Sequence, residues 1–305
     1  MDKHFADTVR LLLAVAPEVF ANDIFALKGG TAINLFVQNM PRLSVDIDVV
    51  YRSWQASRDE ALRAINEELD AIARRVASLG VQIRLIHSKA LDDTKLVVEN
   101  DTSQVKIEVN TVFRGTVLPV ERKPLSEKTA NLFAVRFDLP ILATDELYAG
   151  KFVAALDRQH PRDLFDVWQL FETGCITDDM VECFVIYLAG HNRPIHEVLF
   201  GNDKDIAAEY ERVFVGMTEV EAPLATLLDA RARLRHELTT RLTTAHRQFL
   251  SGLARAQPDW SLLQCQHAAD LPALRWKLGN LETFRERKPH DFIEQAVALE
   301  ARLNL

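Results

Sequence analysis

The stretch from residue 28 to residue 51 reads KGGTAINLFVQNMPRLSVDIDVVY. It follows a short apolar segment over 24–28, and Thr31 after the Gly-Gly pair is a candidate N-cap for a helix that Pro41 ends. Residues 43–51 then alternate apolar and polar side chains, which predicts a strand. The expected order is therefore strand, Gly-Gly turn, helix and strand.

Asp46 and Asp48 lie two residues apart on this predicted strand, so both carboxylates point to one face of the sheet. Like charges at that spacing repel unless a cation lies between them. Mg²⁺ binds through a few carboxylates plus substrate phosphates. The pair is therefore a candidate metal site, and a solvated strand face is the alternative interpretation.

The Gly29-Gly30 turn is a candidate phosphate-binding element. Glycine lets a backbone approach a phosphate closely, and the start of a helix attracts an anion. A Gly-Gly pair alone is usually only a turn, so the position of the turn just before the acid pair carries the interpretation.

A third carboxylate is available on residues 104–112, whose sequence QVKIEVNTV alternates and predicts another strand. Glu108 lies on the polar face of that strand. If the strand pairs beside residues 43–50, Glu108 completes a metal triad. An exposed strand glutamate without a metal is equally open.

Two predicted helices carry a further candidate cluster. Thr144 begins the first helix, in which Lys151 is a candidate point charge for a triphosphate. Gly150 beside it indicates that some group, such as a triphosphate, approaches this helix closely. Pro161 begins the second helix, where Asp163 and Asp166 share a face. The alternative is a pair of first-turn acids that stabilise the helix dipole.

Composition limits the class of protein. The chain has 305 residues, of which 48% are hydrophobic and 26% charged, so it holds enough apolar side chains for folded domains. Its net charge of −8 argues against a general nucleic-acid coat but leaves a local basic face open. No stretch resembles a membrane span or a signal peptide, so the expected compartment is the cytoplasm, with no membrane partner.

The fold class predicted is α+β: a small mixed sheet with helices, followed by an all-helical C-terminal domain. The expected domains are residues 1–174 and 175–305, because strand patterns are confined to the first part. The pattern further predicts a helix over 56–79, strands near 81–87, 94–99 and 132–138, and a loop from Arg114 to Lys128.

Four of these motifs together resemble a known family. They are Gly29-Gly30-Thr31, Ser44-Val45-Asp46-Ile47-Asp48, Lys151, and Arg162-Asp163-Leu164-Phe165-Asp166. The combination resembles the nucleotidyltransferase toxins of the AbiEii/AbiGii type, found in abortive-infection (phage-defence) and toxin–antitoxin systems. These are similar to DNA-polymerase-β-type nucleotidyltransferases. The segment Leu271–Leu281 is similar to the C-terminal regions of the same group.

The resemblance implies a Mg-dependent transfer of nucleotides from a nucleoside triphosphate (NTP) to an RNA acceptor, the 3′ end of a transfer RNA, restrained by a cognate antitoxin. It implies metal ligation, by Mg²⁺ or Mn²⁺, at Asp46 and Asp48, with Glu108 where the family carries an aspartate. The implied catalytic residues are Asp46, Asp48, Lys151 and Asp163. The implied nucleotide-binding residues are Lys28, Gly29, Gly30, Thr31, Ser44 and Asp166.

Basic residues on two C-terminal segments favour RNA as the acceptor, because such clusters follow a phosphate backbone. They are Arg231, Arg233, Arg235, His236, Arg241 and Arg247, and Arg275, Lys277, Arg285, Arg287 and Lys288. A solvated helix face is the alternative. Trp260 and Trp276 are candidates for stacking on bases or for core packing.

Two other functions stay open from sequence. One is a nucleotidyltransferase that modifies a small molecule or a protein hydroxyl. The other is a non-catalytic RNA- or protein-binding module on a degenerate transferase domain. The presence of both Asp46 and Asp48 argues against the second.

Overall fold

A computed structural model describes residues 3–87 and 93–305. The chain forms two compact units. The first comprises residues 1–147 together with 216–220, and the second comprises 148–215 and 221–305. By contacts, the residues between 148 and 174 thus group with the C-terminal helices. The division into domains of residues 1–174 and 175–305 stays a prediction.

The first unit is built on a seven-stranded sheet in the order β3-β4-β5-β2-β1-β7-β6. The strands are β1 (Phe25–Lys28), β2 (Asp46–Tyr51), β3 (Gln82–His87), β4 (Asp93–Glu99), β5 (Gln104–Asn110), β6 (Glu121–Pro124) and β7 (Asp138–Ile141). Strand β2 pairs antiparallel with β1 and parallel with β5. The predicted mixed sheet is confirmed.

Helices in the first unit are α1 (Lys3–Val19), α2 (Gly29–Ala32) followed by a π-helical turn (Ile33–Val37), α3 (Arg58–Ala77) and α4 (Glu127–Phe133). Helix α3 begins with a capping box, in which Ser57 and Glu60 satisfy each other's backbone N–H groups. Its apolar side chains recur at helical spacing and are buried: Ile65, Leu69, Ile72 and Val76.

The predicted strand over 132–138 and the predicted loop from Arg114 to Lys128 are both wrong in part. Residues 121–124 form β6, and Ser126 caps α4, which runs to Phe133. Strand β7 begins only at Asp138. The reason is that β6 is an edge strand, where charged side chains and a proline are tolerated, so its sequence resembles a loop.

Every regular element among the described residues of the second unit is helical, as predicted for the C-terminal part. Helix α5 (Thr144–Asp157) begins in the first unit and continues into the second. The others are α6 (Pro161–Thr173), α7 (Asp178–Ala189), α8 (Ile195–Leu199), α9 (Ala207–Val213), α10 (Leu224–Arg241), α11 (Thr244–Ala254), α12 (Pro272–Arg287) and α13 (Pro289–Leu303), with short 3₁₀ turns at Trp260–Leu262 and Ala268–Asp270.

The core of the second unit is aromatic. Phe152, Phe165, Phe184 and Phe249 are fully buried, and such rings contribute large apolar areas to packing. Across the described parts of the chain, no helix combines the length and the apolar character that crossing a membrane requires.

Candidate active site

The acid pair lies on β2, at the centre of the sheet. Asp46 and Asp48 are half-exposed, whereas Ile47 between them is fully buried. The alternation of a strand therefore places both carboxylates on the outer face, as predicted. The apolar side chains of the same strand anchor it in the core.

A row of charged residues crosses four strands beside this pair. The register places Lys28 on β1 opposite Asp48, Asp48 opposite Glu108 on β5, and Glu108 opposite Lys95 on β4. Facing residues of paired strands share one face of the sheet. The charges along the row are therefore positive, negative, negative and positive. Pairing of the strands brings together predicted site residues that are far apart in sequence.

Glu108 therefore lies beside the acid pair, as the predicted triad requires. Its Oε1 atom accepts a hydrogen bond from Lys95 Nζ at 2.9 Å. Among the described residues, the carboxylates of Asp46, Asp48 and Glu108 do not all lie within 4.8 Å of one another. A metal role for Glu108 stays a prediction, in which Lys95 competes with the cation for this carboxylate.

Asp46 and Asp48 themselves suit a divalent cation. Half-exposed carboxylates on one face are the oxygen ligands that Mg²⁺ prefers, and water can complete its shell. Lys106 lies opposite Asp46 in the register, and Lys28 lies opposite Asp48. These lysines moderate the repulsion between the acids before a metal binds.

The Gly-Gly turn lies against the acid strand. Gly29 has a φ angle of 75°, in the left-handed region that favours glycine. A Cβ atom at Gly29 would overlap the Oδ2 atom of Asp48. The glycine therefore allows the Asp48 carboxylate to lie directly on the turn.

Gly30 makes room for two other polar side chains. A Cβ atom there would lie 2.7 Å from Nη2 of Arg42 and 3.0 Å from Oγ of Ser44. Both glycines thus accommodate groups of the protein itself. Binding of phosphates by this turn stays a prediction.

Thr31 does not cap a helix, so that prediction is wrong. It lies inside α2 and is buried, and the cap position is Lys28. The Thr31 hydroxyl donates to the backbone carbonyl of Asp46 and lies 3.0 Å from Oγ of Ser44. Thr31 and Ser44 therefore fasten the turn to the acid strand.

The second unit holds the other predicted cluster. Lys151 Nζ lies 2.7 Å from Oδ1 of Asp163 and 2.9 Å from Oδ2 of Asp166, and all three side chains are buried. The Arg158 guanidinium also donates two hydrogen bonds to Asp163. Burial raises the pKa of Asp163, but the charges of Lys151 and Arg158 outweigh it and hold that pKa well below its usual range.

Arg158 is a residue that the sequence reasoning missed. It lies between two helices, five positions before Asp163, and 62% of its side chain is exposed. Nothing local distinguishes it from a surface arginine. Its position just before the Arg162–Asp166 motif is the feature of the sequence that could have pointed to it.

Gly150 does not indicate a ligand. A Cβ atom there would lie 3.3 Å from Cε1 of Tyr187. The group that approaches the helix closely at this position is therefore the Tyr187 ring, not a triphosphate.

The basic residues of α10 and α11 are mostly engaged within the protein. Buried Arg231 donates to Gln159 and to the Lys204 carbonyl, and Arg235 pairs with Asp203. Arg247 donates to the backbone carbonyls of three residues: Thr239, Leu242 and Leu303. These side chains stabilise the helical unit. Fewer basic side chains of α10 and α11 are therefore available to bind RNA.

The end of α12 retains exposed positive charge at Arg285, Arg287 and Lys288. Lys277 on the same helix is buried and donates to the Arg193 carbonyl. Trp260 packs against Phe249, with ring centroids 5.6 Å apart, whereas Trp276 is exposed. The exposed members of the predicted RNA-facing set are therefore Trp276 and six basic residues: Arg233, Arg241, Arg275, Arg285, Arg287 and Lys288, joined by His236.

The family that the sequence matches consists of nucleotidyltransferase enzymes. Over residues 10–280 the sequence matches the family model described as the nucleotidyl transferase AbiEii toxin of type IV toxin–antitoxin systems. The chain belongs to the AbiEii family of nucleotidyltransferase toxins. The family resemblance inferred from the motifs is confirmed.

A solved structure supports the fold. The chain is similar to MenT4, the nucleotidyltransferase toxin Rv2826c from Mycobacterium tuberculosis H37Rv. The similarity covers 92% of this chain and 94% of that one, with a TM-score of 0.60 and 16% sequence identity. At this identity the likeness concerns the fold alone. No curated protein matches the chain.

Proposed function

We propose that this protein transfers nucleotides from an NTP to the 3′ end of a transfer RNA in a Mg²⁺-dependent reaction, and that a cognate antitoxin restrains it. The observation that carries the proposal is the contact between the acid pair and the Gly-Gly turn. Asp48 lies on Gly29, and Thr31 is bonded to the Asp46 backbone. This contact supports the proposal because it joins the proposed metal ligands to the proposed phosphate-binding turn.

Asp46 and Asp48 are the residues that would hold the metal ion. When bound, such an ion stabilises charge on the reacting phosphate and lowers the pKa of the attacking hydroxyl. The backbone N–H groups of the Gly29-Gly30 turn would bind the phosphates, with Ser44 and Lys28 beside them. The protein's own task is to position these groups, since positioning and electrostatics dominate phosphoryl chemistry.

Lys151 in the second unit is proposed to serve catalysis, as the resemblance of its motif to the family implies. Its ammonium group is a compact charge with three donors. Asp163 and Asp166 hold that group in place, and the charges of Lys151 and Arg158 keep the pKa of Asp163 low. The two acids are therefore proposed to act by positioning Lys151.

Transfer RNA is the acceptor that we favour. Arg285, Arg287 and Lys288 form an exposed basic patch at the end of α12, and Trp276 offers a ring for stacking. A small molecule or a protein hydroxyl is the second candidate, because the α10 arginines are engaged internally. Transfer RNA and NTPs place the reaction in the cytoplasm.

The test is to incubate the protein with cellular RNA, Mg²⁺ and each radiolabelled NTP in turn. We expect label in RNA of transfer-RNA size, and none after chelation of the metal. Label found only in protein or in small molecules would overturn the choice of acceptor. Incorporation that persists without divalent metal would overturn the mechanism.

A further inference from the structure

Residues 216–220, here called the strap, belong to the first unit although the chain before and after them belongs to the second. Thr218 forms an antiparallel bridge with Arg42. The Leu43 N–H donates to the Met217 carbonyl, and the Glu219 N–H donates to the Pro41 carbonyl, each at 3.2 Å. The strap thus pairs with the segment that leads into the acid strand.

An ion pair also holds the strap, because Lys128 near the start of α4 contacts Glu219. The predicted strand over 43–51 begins only at Asp46. Residues 41–43 pair with the strap in its place. Five residues distant in sequence therefore complete the backbone pairing immediately before the acid pair.

Arg42 is the buried cation at this junction. Only 4% of the residue is exposed. Its Nη1 atom donates to the Leu43 carbonyl at 2.7 Å, and its Nη2 atom occupies the space in front of Gly30. Burying a guanidinium is unfavourable without good partners. The guanidinium therefore lies between the Leu43 carbonyl and the Gly-Gly turn, next to the acid strand.

We propose that Arg42 is a positioning residue for the triphosphate, and that the strap holds it against the Gly-Gly turn. The buried guanidinium lies against Gly30, while Asp46 and Asp48 remain half-exposed, so Arg42 acts through the turn. It keeps Gly29 and Gly30 in register with the acids, so that their N–H groups meet the phosphates without rearrangement. The inference rests on the proposed NTP site.

The primary test measures binding of a non-hydrolysable NTP analogue with Mg²⁺ by calorimetry on the full chain. Arg42→Met removes the charge and fork of donors while keeping an unbranched apolar chain. We expect about tenfold weaker NTP binding, since the pre-organised turn is lost. Mn²⁺ binding measured alone should stay close to wild type, because the acids are untouched. Arg42→Lys keeps the charge but loses the planar fork of donors. Its NTP affinity should therefore lie between the affinities of wild type and Arg42→Met.

The strap is tested by substitutions that do not remove a buried charge. Glu219→Pro deletes the N–H that donates to Pro41, and we expect NTP binding to weaken several-fold. Lys128→Glu and Glu219→Lys should each weaken it in the same direction, and the double exchange should restore it. Arg122→Glu is the matched control, because it breaks an exposed ion pair with Asp138 on β6 and β7 of the same sheet.

The outcomes separate cleanly. If the wild-type protein binds no NTP analogue, the proposed function fails. If the wild type binds, but Glu219→Pro and both single charge reversals bind equally well, the strap has no positioning role. Should Arg42→Met fail to fold, the charge-reversal series still decides for or against the strap. Weakening by Arg122→Glu to the same extent would also contradict the proposal, because the effect would then not be specific to the strap.

Discussion

The two units hold their charged clusters in opposite ways. In the first unit, Asp46 and Asp48 are half-exposed on a strand face. In the second, Lys151, Asp163 and Asp166 are buried and bonded to one another. A half-exposed pair of like charges can bind a cation, whereas the buried network pairs opposite charges with one another. The two clusters should therefore respond differently to the same kind of substitution.

The largest effect is expected for Asp46→Asn or Asp48→Asn. Loss of the metal should lower nucleotide transfer by roughly 10³-fold or more, since metal ions supply several kcal/mol and each ~1.4 kcal/mol is tenfold in rate. The fold should keep or slightly gain stability, because a like-charge neighbour is removed. Incorporation of radiolabel measures nucleotide transfer, and thermal unfolding measures stability. Turnover near wild type in both variants would remove the acid pair from the mechanism.

Lys151→Met should lower the stability of the fold, in contrast to the substitutions of Asp46 and Asp48. It leaves Asp163 and Asp166 buried without the ammonium group that pairs with both of them, and breaking such a buried pair costs about 3–5 kcal/mol. Denaturant unfolding measures this loss. The control is Arg212→Met, which removes an exposed ion pair with Glu209 in the same unit and should have little effect. A Lys151→Met protein as stable as that control would show that the cluster is not structural.

Lys277 offers a test by pH in the second unit. Burial lowers the pKa of Lys277 to about 8, whereas an unfolded lysine keeps its proton up to a pKa of about 10.4. Between these values the unfolded state binds more protons, so this lysine's contribution to stability rises with pH. We expect wild type to gain on the order of 2–3 kcal/mol relative to Lys277→Met over that window.

The comparison variant for this measurement is Lys288→Met, which removes an exposed lysine just after α12. Wild type and Lys288→Met should show parallel stability curves between pH 8 and about 10.4. If the stability of Lys277→Met changes with pH in the same way as that of the other two proteins, the pKa of Lys277 is not lowered in the folded state.

The smallest effect concerns Lys95, which bonds Glu108 in the first unit. Lys95→Met should free the Glu108 carboxylate and raise the negative charge at the acid pair, so Mn²⁺ should bind several-fold more tightly. Calorimetric titration of Mn²⁺ measures this. Arg84→Met, which removes an exposed pair with Glu99 at the neighbouring strands, should leave it unchanged. Weaker binding in Lys95→Met would exclude Glu108 from the metal site.

The sequence was sufficient where the pattern is local. Alternation fixes which face of a strand carries Asp46, Asp48 or Glu108, because the side-chain period is two. Helical spacing likewise brought Asp163 and Asp166 to one face. These parts of the sheet and of the candidate site follow from neighbours in sequence.

The remainder depends on contacts between distant segments. The register that sets Asp48 beside Glu108, and the pairing of Arg42 with Thr218, join strands far apart along the chain. Arg42 and Arg158 resemble surface arginines until their partners are known. Thr31 fits a capping pattern, yet its hydroxyl bonds to the Asp46 carbonyl, 15 positions away. No local rule could have anticipated that bond.

The central claim is that the acid pair and the Gly-Gly turn form one metal–nucleotide site. The most direct measurement is a crystal structure of the full chain with Mn²⁺ and a non-hydrolysable NTP analogue, with the metal located by anomalous scattering. We predict an anomalous peak about 2.1 Å from oxygens of both Asp46 and Asp48, with the triphosphate against Gly29 and Gly30. A peak confined to another acidic group, such as the exposed His290, Asp291 and Glu294 on α13, would contradict the account.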